Sequence, residues 1–359
     1  MPVIPVSIPG KFTQYSVIIE SGLISRSSQA FSAYSGAKAA VISDTNVAPL
    51  HAESLLSQLR TSGVDPFLMT LPAGEPTKCR ESLDCVYDFL LDHKITRTDI
   101  IVALGGGVIG DLTGYAAATY LRGTRFIQVP TTLLAQVDSS VGGKVAINHP
   151  KGKNLLGAFY QPELVLIDTN TLKTLDARQT GAGLGEVIKY GCIMDSALFD
   201  LIERCGSREN LAPLYPEIVA RCIELKAQVV REDPFDTGLR MILNYGHTLA
   251  HAIENAAGYG AVLHGEAVCI GMVAAASWGE ALGVTPVGTA GRIRRLLTAY
   301  DLPVDIPQGL TRTELFPSLV LDKKSLGKDI RVILLDEIGH CQATRLPVQK
   351  LLELMEKPS

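Results

Sequence analysis

The first half of the chain alternates short, uninterrupted apolar runs with helical patterns, and this rhythm restricts the fold more than any other feature. The runs AAVIS (39–43), FLMTL (67–71), IIVAL (100–104), FIQVP (126–130) and ELVLID (163–168) carry almost no polar alternation. Strands of that kind are covered on both faces, as in a parallel sheet with helical crossovers. Between two of them, CRESLDCVYDFLLDHK (79–94) sets Leu83, Val86, Leu90 and Leu91 near helical spacing, which predicts a crossover helix.

Beyond residue 176 the strand pattern gives way to helical segments at 176–193, 210–231, 239–257 and 264–282. A lone late strand, RVILL (331–335), and an amphipathic end, VQKLLELMEK (348–357), follow. A chain of 359 residues exceeds the roughly 250–300 that one core supports, so we expect two domains, 1–175 and 176–359. The expected class is α/β, with an N-terminal Rossmann-like parallel-sheet domain followed by a mainly α-helical one. If 239–257 is one continuous helix, Arg240, Asn244 and His247 project toward one face.

Charge narrows the partners. A formal net charge of -4 argues against a nucleic-acid footprint, which needs a strongly basic face, whereas a small anionic substrate needs only local positive charge. No stretch reaches the roughly 18–20 apolar residues of a spanning helix, and MPVIPVSIPG lacks the pattern of a secretory leader. The seven cysteines are odd in number and include no C-x-x-C, which predicts reduced thiols and a cytoplasmic protein.

The segment IIVALGGGVIGDLTGYAAATY leads a buried strand through three glycines into a helix, so backbone N–H groups and a helix N-terminus can meet a pyrophosphate. Gly105, Gly107 and Gly110 satisfy G-x-G-x-x-G, but the acidic residue expected about 20 positions later is replaced by RFIQVPTT. Asp44, ending an earlier strand in AVISDTN, is an alternative ribose contact, and the loop PAGEPTK (72–78) falls at another strand end. Next, PTTLLAQVDSSVGGKVAINHPKGKNLLGAFYQP (130–162) gathers hydroxyls, a glycine pair, Lys144, Lys153 and Asn154, the makings of an anion cradle.

In the helical half, LGEVIKYG (184–191), LNYGHTLAHAIE (243–254) and LHGEAVCIGMV (263–273) set Glu186, His247, His251 and His264 in apolar surroundings. Buried groups of this kind need partners or a metal, and two histidines with one carboxylate make a catalytic zinc set with an open position. His247 and His251, four apart, also suit a paired-ligand reading, although HTLAH lacks the glutamate of H-E-x-x-H.

Taken in order, GGGVIGD, PTTLLAQVDSSVGGK, GKN, GEVIKYG, LNYGHT and LHGEAV closely resemble the 3-dehydroquinate synthases of the wider sugar-phosphate cyclase family, over roughly residues 40–330. The resemblance implies a metal, Zn2+ or Co2+, held by Glu186, His247 and His264, with His251 left as a substrate or proton-relay residue. For NAD it implies Asp44, Asn46, Glu75, Lys78, Gly106, Gly107, Val108, Ile109, Gly110, Asp111, Thr131, Thr132, Asp138, Ser139, Lys144, Lys153, Thr171, Leu172 and Thr174. Toward a sugar-phosphate substrate it implies Arg122, Asp138, Lys144, Asn154, Lys189, Lys226, Arg240, Asn244 and His251, with Lys323 or Lys324 of LDKK. Arg122 would reach a neighbouring subunit's site, which implies a homodimer. The implied chemistry is transient oxidation of a ring hydroxyl by NAD, β-elimination of phosphate, return of the hydride and aldol ring closure.

One departure is visible. Where many relatives read ADE ahead of the G-L-R block, this chain has REDPFDTGLR (231–240), with Lys226, Arg240 and Asn244 still in register. The competing readings are a sister cyclase making an aminated quinate or a valiolone, a glycerol-dehydrogenase-like enzyme, and a helical interaction scaffold.

Overall fold

The computed structural model describes residues 14–258, 260–310, 315 and 329–356. Its first half contains β1 (Ser16–Ile19), β2 (Lys38–Asp44), β3 (Asp65–Leu71), β4 (Ile100–Gly105), β5 (Arg125–Pro130) and β8 (Leu164–Ile167), with β6 (Lys144–His149) and β7 (Gly152–Phe159) between the last two. The six strands other than β6 and β7 form one sheet in the order β1-β8-β5-β4-β2-β3, every neighbouring pair parallel. Each expected apolar run is a strand of this sheet. Successive side chains divide between its faces. Ala39, Val41, Ile100, Val102 and Leu104 pack with Leu55, Leu56 and Leu59 of α1 (Glu53–Thr61). Ala40, Ile42, Ile101 and Ala103 pack with Leu83, Val86 and Leu90 of α2 (Arg80–Asp92) and with Ile109 and Leu112 of α3 (Gly107–Thr119).

From β2 the chain moves outward to β3 and then returns to β4 on the other side, so the strand order reverses between β2 and β4. In open parallel sheets ligands bind outside the carboxyl ends at such a reversal. Here those ends carry Asp44 and the glycine run 105–107. Two elements went unread in the sequence. The edge strand β1 has only four residues, and β6 and β7 form an antiparallel hairpin standing apart from the main sheet.

The second half comprises α4 (Ala177–Ile193), α5 (Ser196–Cys205), α6 (Arg208–Leu211), α7 (Tyr215–Glu232), α8 (His247–Ala257), α9 (His264–Ala281) and α10 (Thr289–Ala299). It ends with an antiparallel pair, β9 (Asp329–Glu337) and β10 (His340–Pro347), and α11 (Val348–Glu356). The late strand is therefore not alone. Asp176 caps α4, accepting from the Gln179 N–H, and α9, apolar around most of its circumference, lies in the centre of the helical core.

The segment 239–257 corrects the expectation of a single helix. Leu239–Asn244 is a 3-10 turn, Tyr245 is extended, Gly246 takes the left-handed region at φ 79°, and α8 starts only at His247. Arg240 and Asn244 thus share no helical face with His247. Likewise the segment 210–231 is divided, and its main helix begins at Tyr215, with Pro216 in the first turn where its missing N–H costs nothing.

Backbone-to-backbone contacts explain why the break at Gly246 falls where it does. A Cβ on Gly265 would lie 1.8 Å from the Ala182 carbonyl oxygen, one on Gly185 would lie 2.8 Å from that of Gly265, and one on Gly271 would lie 1.9 Å from that of Gly246. So α9 crosses α4 and the start of α8 at distances only glycine permits. We predict that Gly265→Ala lowers stability by at least ~3 kcal/mol, because carbonyls cannot swing away as a side chain can. By contrast Gly291 of α10 has no neighbour closer than 3.5 Å. Gly291→Ala should stabilise by about 0.5–1 kcal/mol, and denaturant melts of both variants check the pair.

Candidate active site

Each of the three residues singled out as metal ligands is the chain neighbour of a close-contact glycine. Glu186 follows Gly185 on α4, His247 follows Gly246 at the start of α8, and His264 precedes Gly265 at the start of α9. The helix crossings therefore converge their side chains, and one ligand atom from each lies within 4.8 Å of the others. Glu186 is fully buried, and its Oε1 finds no hydrogen-bond donor among the described residues. Instead it faces the Nε2 atoms of His264 at 3.6 Å and of His247 at 3.8 Å.

The far side of each ring is engaged. His247 Nδ1 lies 3.1 Å from the Tyr245 carbonyl and His264 Nδ1 lies 3.2 Å from the Glu254 carboxylate. Both partners are acceptors, so Nδ1 carries a hydrogen in each ring and Nε2 is the atom turned toward Glu186, the one a metal would take. Burial holds His247 well below its usual pKa, with Lys189, His264 and His251 adding, so its ring is neutral. A buried carboxylate oxygen without a donor beside two imidazole Nε2 atoms suits a divalent cation. His251 stands next to this group, its ring centroid 5.5 Å from that of His247, but belongs to no ligand cluster among the described residues. The paired-ligand reading of HTLAH is not favoured.

Cations gather next to the centre. Lys189 and Lys226 are buried, the first ion-paired with Glu186, the second 3.0 Å from Asp138 Oδ1. Tyr190 also donates to Asp138 Oδ1, at 2.7 Å. Burial alone would raise the Asp138 carboxyl, but Lys226, Lys189 and Tyr190 outweigh it and hold it far below the usual range. Burial pushes the Lys226 ammonium down, Arg240 and Lys189 add to that, and Asp138 opposes it. Arg240, 3 % exposed, donates from Nη1 to the carbonyls of Gly142 at 3.1 Å and Pro234 at 3.3 Å. No carboxylate pairs with its guanidinium among the described residues. This is no solubilising surface arginine. Gly142 makes room for it, with φ 102° and a site where a Cβ would sit 2.4 Å from Nη2. Asn244 and His251 are exposed and line, with His247 and Arg331, a cleft of about 290 Å³.

At the carboxyl end of β4, inside the sheet, the glycines divide into two roles. A Cβ on Gly105 or Gly110 would strike Ile109 or Gln128, so these close the helix against the strand. Gly106 and Gly107 instead leave the N-terminus of α3 bare between Thr132 and Ser139, whose side chains a Cβ would meet at 2.9 and 3.1 Å. Val108 is half-buried and Ile109 buried, Thr131 is buried with its hydroxyl unpartnered among the described residues, and the Thr132 hydroxyl accepts from the Ala135 N–H. Asp44 caps the turn after β2, accepting from the N–H groups of Asn46 and Val47.

Other expected residues are tied to one another. Lys78 pairs with Asp111 and donates to Asn154 Oδ1 at 2.6 Å, and Glu75 accepts from Asn148. Lys144, exposed, pairs with Asp236, while Lys153 reaches Glu254 at 2.9 Å. The Thr171 hydroxyl donates to the Asp168 carbonyl and accepts from Gln136, Leu172 is buried, and Thr174 meets His51 at 3.1 Å. Arg122 is exposed in a turn after α3, and Lys323 and Lys324 lie outside the described residues. Sequence reasoning passed over Tyr190, Glu254 and Arg331. The first two stand inside motifs already quoted, but a side chain's distant partner leaves no mark in local spacing.

Comparison with known proteins agrees with this geometry. Residues 68–182 match the 3-dehydroquinate synthase N-terminal family and residues 183–325 the 3-dehydroquinate synthase C-terminal family. A 3-dehydroquinate synthase of Pelobacter propionicus is 53% identical over 319 residues, covering 88% of this chain and 89% of that one. Among solved structures, a 2-epi-5-epi-valiolone synthase from Streptomyces hygroscopicus with NAD+ and Zn2+ bound superposes with a TM-score of 0.89 at 27% identity, covering 98% of both chains. A 2-deoxy-scyllo-inosose synthase complexed with carbaglucose-6-phosphate, NAD+ and Co2+ reaches 0.86 at 26% identity, covering 95% of this chain and 96% of that one. With both family halves matched in order across one continuous stretch and a relative sharing half its residues, the chain belongs to the 3-dehydroquinate synthase family.

Proposed function

We propose that the protein is a carbon–oxygen lyase converting 3-deoxy-D-arabino-heptulosonate 7-phosphate into 3-dehydroquinate and phosphate, a step in aromatic amino acid biosynthesis by the shikimate pathway. The observation that carries this reading is the Glu186, His247 and His264 cluster, whose His247 lines the same cleft as Asn244 and His251 and which stands next to buried cations. The identity of 53% to a 3-dehydroquinate synthase, against 27% to a valiolone synthase, favours this activity over a sister cyclase.

Glu186, His247 and His264 would hold the Zn2+ or Co2+ ion, and the bare N-terminus of α3, with Asp44, Thr131 and Ser139 around it, would hold NAD. When bound, these groups supply reversible hydride exchange at a ring hydroxyl, NAD returning unchanged, and Lewis acidity. The chain supplies positioning. Arg240, buried without a carboxylate, needs an anion, and its planar fork can hold the substrate carboxylate with two parallel hydrogen bonds. Lys189 and Lys226, held in place by Glu186 and Asp138, put basic groups where an acidic sugar phosphate must dock. His251, exposed in the cleft, is suited to exchange protons with substrate.

The reading extends to a cytoplasmic homodimer. All seven cysteines are free thiols, and among the described residues no helix is long and apolar enough to cross a membrane. Leu121 and Arg122 take left-handed backbone at φ 50° and 64°, ahead of Gly123 at 116°. Such strain costs on the order of 1–3 kcal/mol per residue and recurs at functional positions. It supports an Arg122 held outward for a second subunit.

Incubation with the heptulosonate phosphate, NAD+ and Zn2+ should release phosphate and dehydroquinate in equal amounts without net NADH. Net NADH from a simple alcohol would point to a dehydrogenase instead. Glu186→Gln, His247→Ala and His264→Ala should each lose metal by elemental analysis, whereas His251→Ala should keep metal and lose rate. Arg240→Lys should lower kcat/KM roughly tenfold to a hundredfold, about 1.5–3 kcal/mol, with metal content unchanged. Gly142→Ala, which drives a Cβ into the guanidinium, should do at least as much. Mixed inactive Arg122→Ala and Lys189→Ala subunits should recover activity in hybrid dimers, and no recovery despite proven subunit exchange would place Arg122 outside the partner's site.

A further inference from the structure

Glu254 belongs to none of the motif roles assigned above, yet its carboxylate is 5 % exposed and engaged at both oxygens. Oε2 lies 3.2 Å from His264 Nδ1, and Oε1 accepts from Lys153 Nζ at 2.9 Å. His264 stands on α9, Glu254 on α8 and Lys153 on β7, so one buried carboxylate joins the helical core to the hairpin. The strand then continues to Asn154, which accepts from Lys78, itself paired with Asp111 on α3.

Resting on the metal centre proposed above, we propose that Glu254 is the positioning residue for His264, and that Lys153 acts on the metal site through it. The carboxylate keeps the hydrogen on Nδ1, fixes the ring plane and so turns Nε2 toward Glu186. Its negative charge makes the imidazole a stronger donor. A carboxylate this buried is costly unless its charge is met, and Lys153 is the cation that meets it. Removing Lys153 therefore leaves Glu254 under-compensated and loosens its hold on the ring. The ammonium comes from the segment carrying Asn154, so the metal centre and the Lys78–Asp111 pair beside α3 are mechanically linked across a single pair of adjacent residues.

The test is metal affinity in the absence of NAD and substrate, measured with Co2+ by chelator competition and by its visible absorption. Circular dichroism and melting of the metal-free proteins run in parallel. Outer partners of ligating histidines contribute roughly 10–100-fold to affinity. Glu254→Ala should weaken Co2+ binding by that amount and change the absorption spectrum, with the metal-free fold intact. Glu254→Gln, which keeps an acceptor oxygen for Nδ1, should recover part of the loss. Lys153→Met, one step further from the ring, should weaken binding less than that, about threefold to tenfold in the wild-type background, and not at all in the Glu254→Ala background. Unchanged affinity in Glu254→Ala, or a Lys153→Met effect that persists without Glu254, would overturn the proposal. Failure of the unsubstituted protein to bind Co2+, or binding that survives His264→Ala, would instead strike the metal centre itself and is distinguishable on that ground.

Discussion

The approach of α9 to the backbones of α4 and the α8 start is the constraint on which the rest of this structure depends. Two helices whose side chains interpose lie about 8–10 Å apart, and ligand atoms on them would be held apart accordingly. Here Gly185, Gly246, Gly265 and Gly271 remove the intervening side chains, and carbonyls face Cα atoms directly. The neighbours of three of these glycines, Glu186, His247 and His264, are carried inward with them, close enough to share one ion. The pairing of glycine with ligand in GE, GH and HG is thus a packing requirement before it is a chemical one. It also explains why Gly246 interrupts the helix there. The chain must turn sharply to set the first residue of α8, rather than a mid-helix residue, against Glu186.

Sequence and structure agree best where burial on two faces leaves a composition signature. All five apolar runs are strands of the parallel sheet, four of them interior and largely buried on both faces, whereas β3, carrying FLMTL, is an edge strand and half-exposed. The glycine loop, Glu186, His247 and His264 were legible because each lies in a short segment whose residue types have few other uses. The edge strand β1, only four residues long with half-exposed alternation, gives almost no signal. The hairpin of β6 and β7 exposes Leu155, Leu156 and Phe159, so its pattern is blurred by apolar residues outside any core. For 239–257, apolar spacing suggested continuity, but one positive φ at Gly246 outweighs the periodicity on both sides.

Partners of charged groups were the least legible part. That Asp138 would accept from Tyr190 and face Lys226, or that Arg240 would sit on carbonyls of Gly142 and Pro234, depends on three-dimensional neighbours up to about a hundred residues away in the chain. Residue type announced each charge and its polarity. Only packing announced how each is met.

These partners explain why residues 130–142 are so densely functional. Thr132 and Ser139 of that segment flank the bare N-terminus of α3, while Asp138, between them and the helices, holds Lys226 and Tyr190. Four residues on, Gly142 receives Arg240. One short stretch of chain therefore borders the glycine loop on one side and holds the buried cations Lys226 and Arg240 on the other. Asp138 and Ser139 are adjacent in one helical turn, so a shift of the backbone there would move both. Under the proposed function, in which the glycine loop holds the nucleotide and these cations the substrate, the backbone of this one segment would set their relative placement.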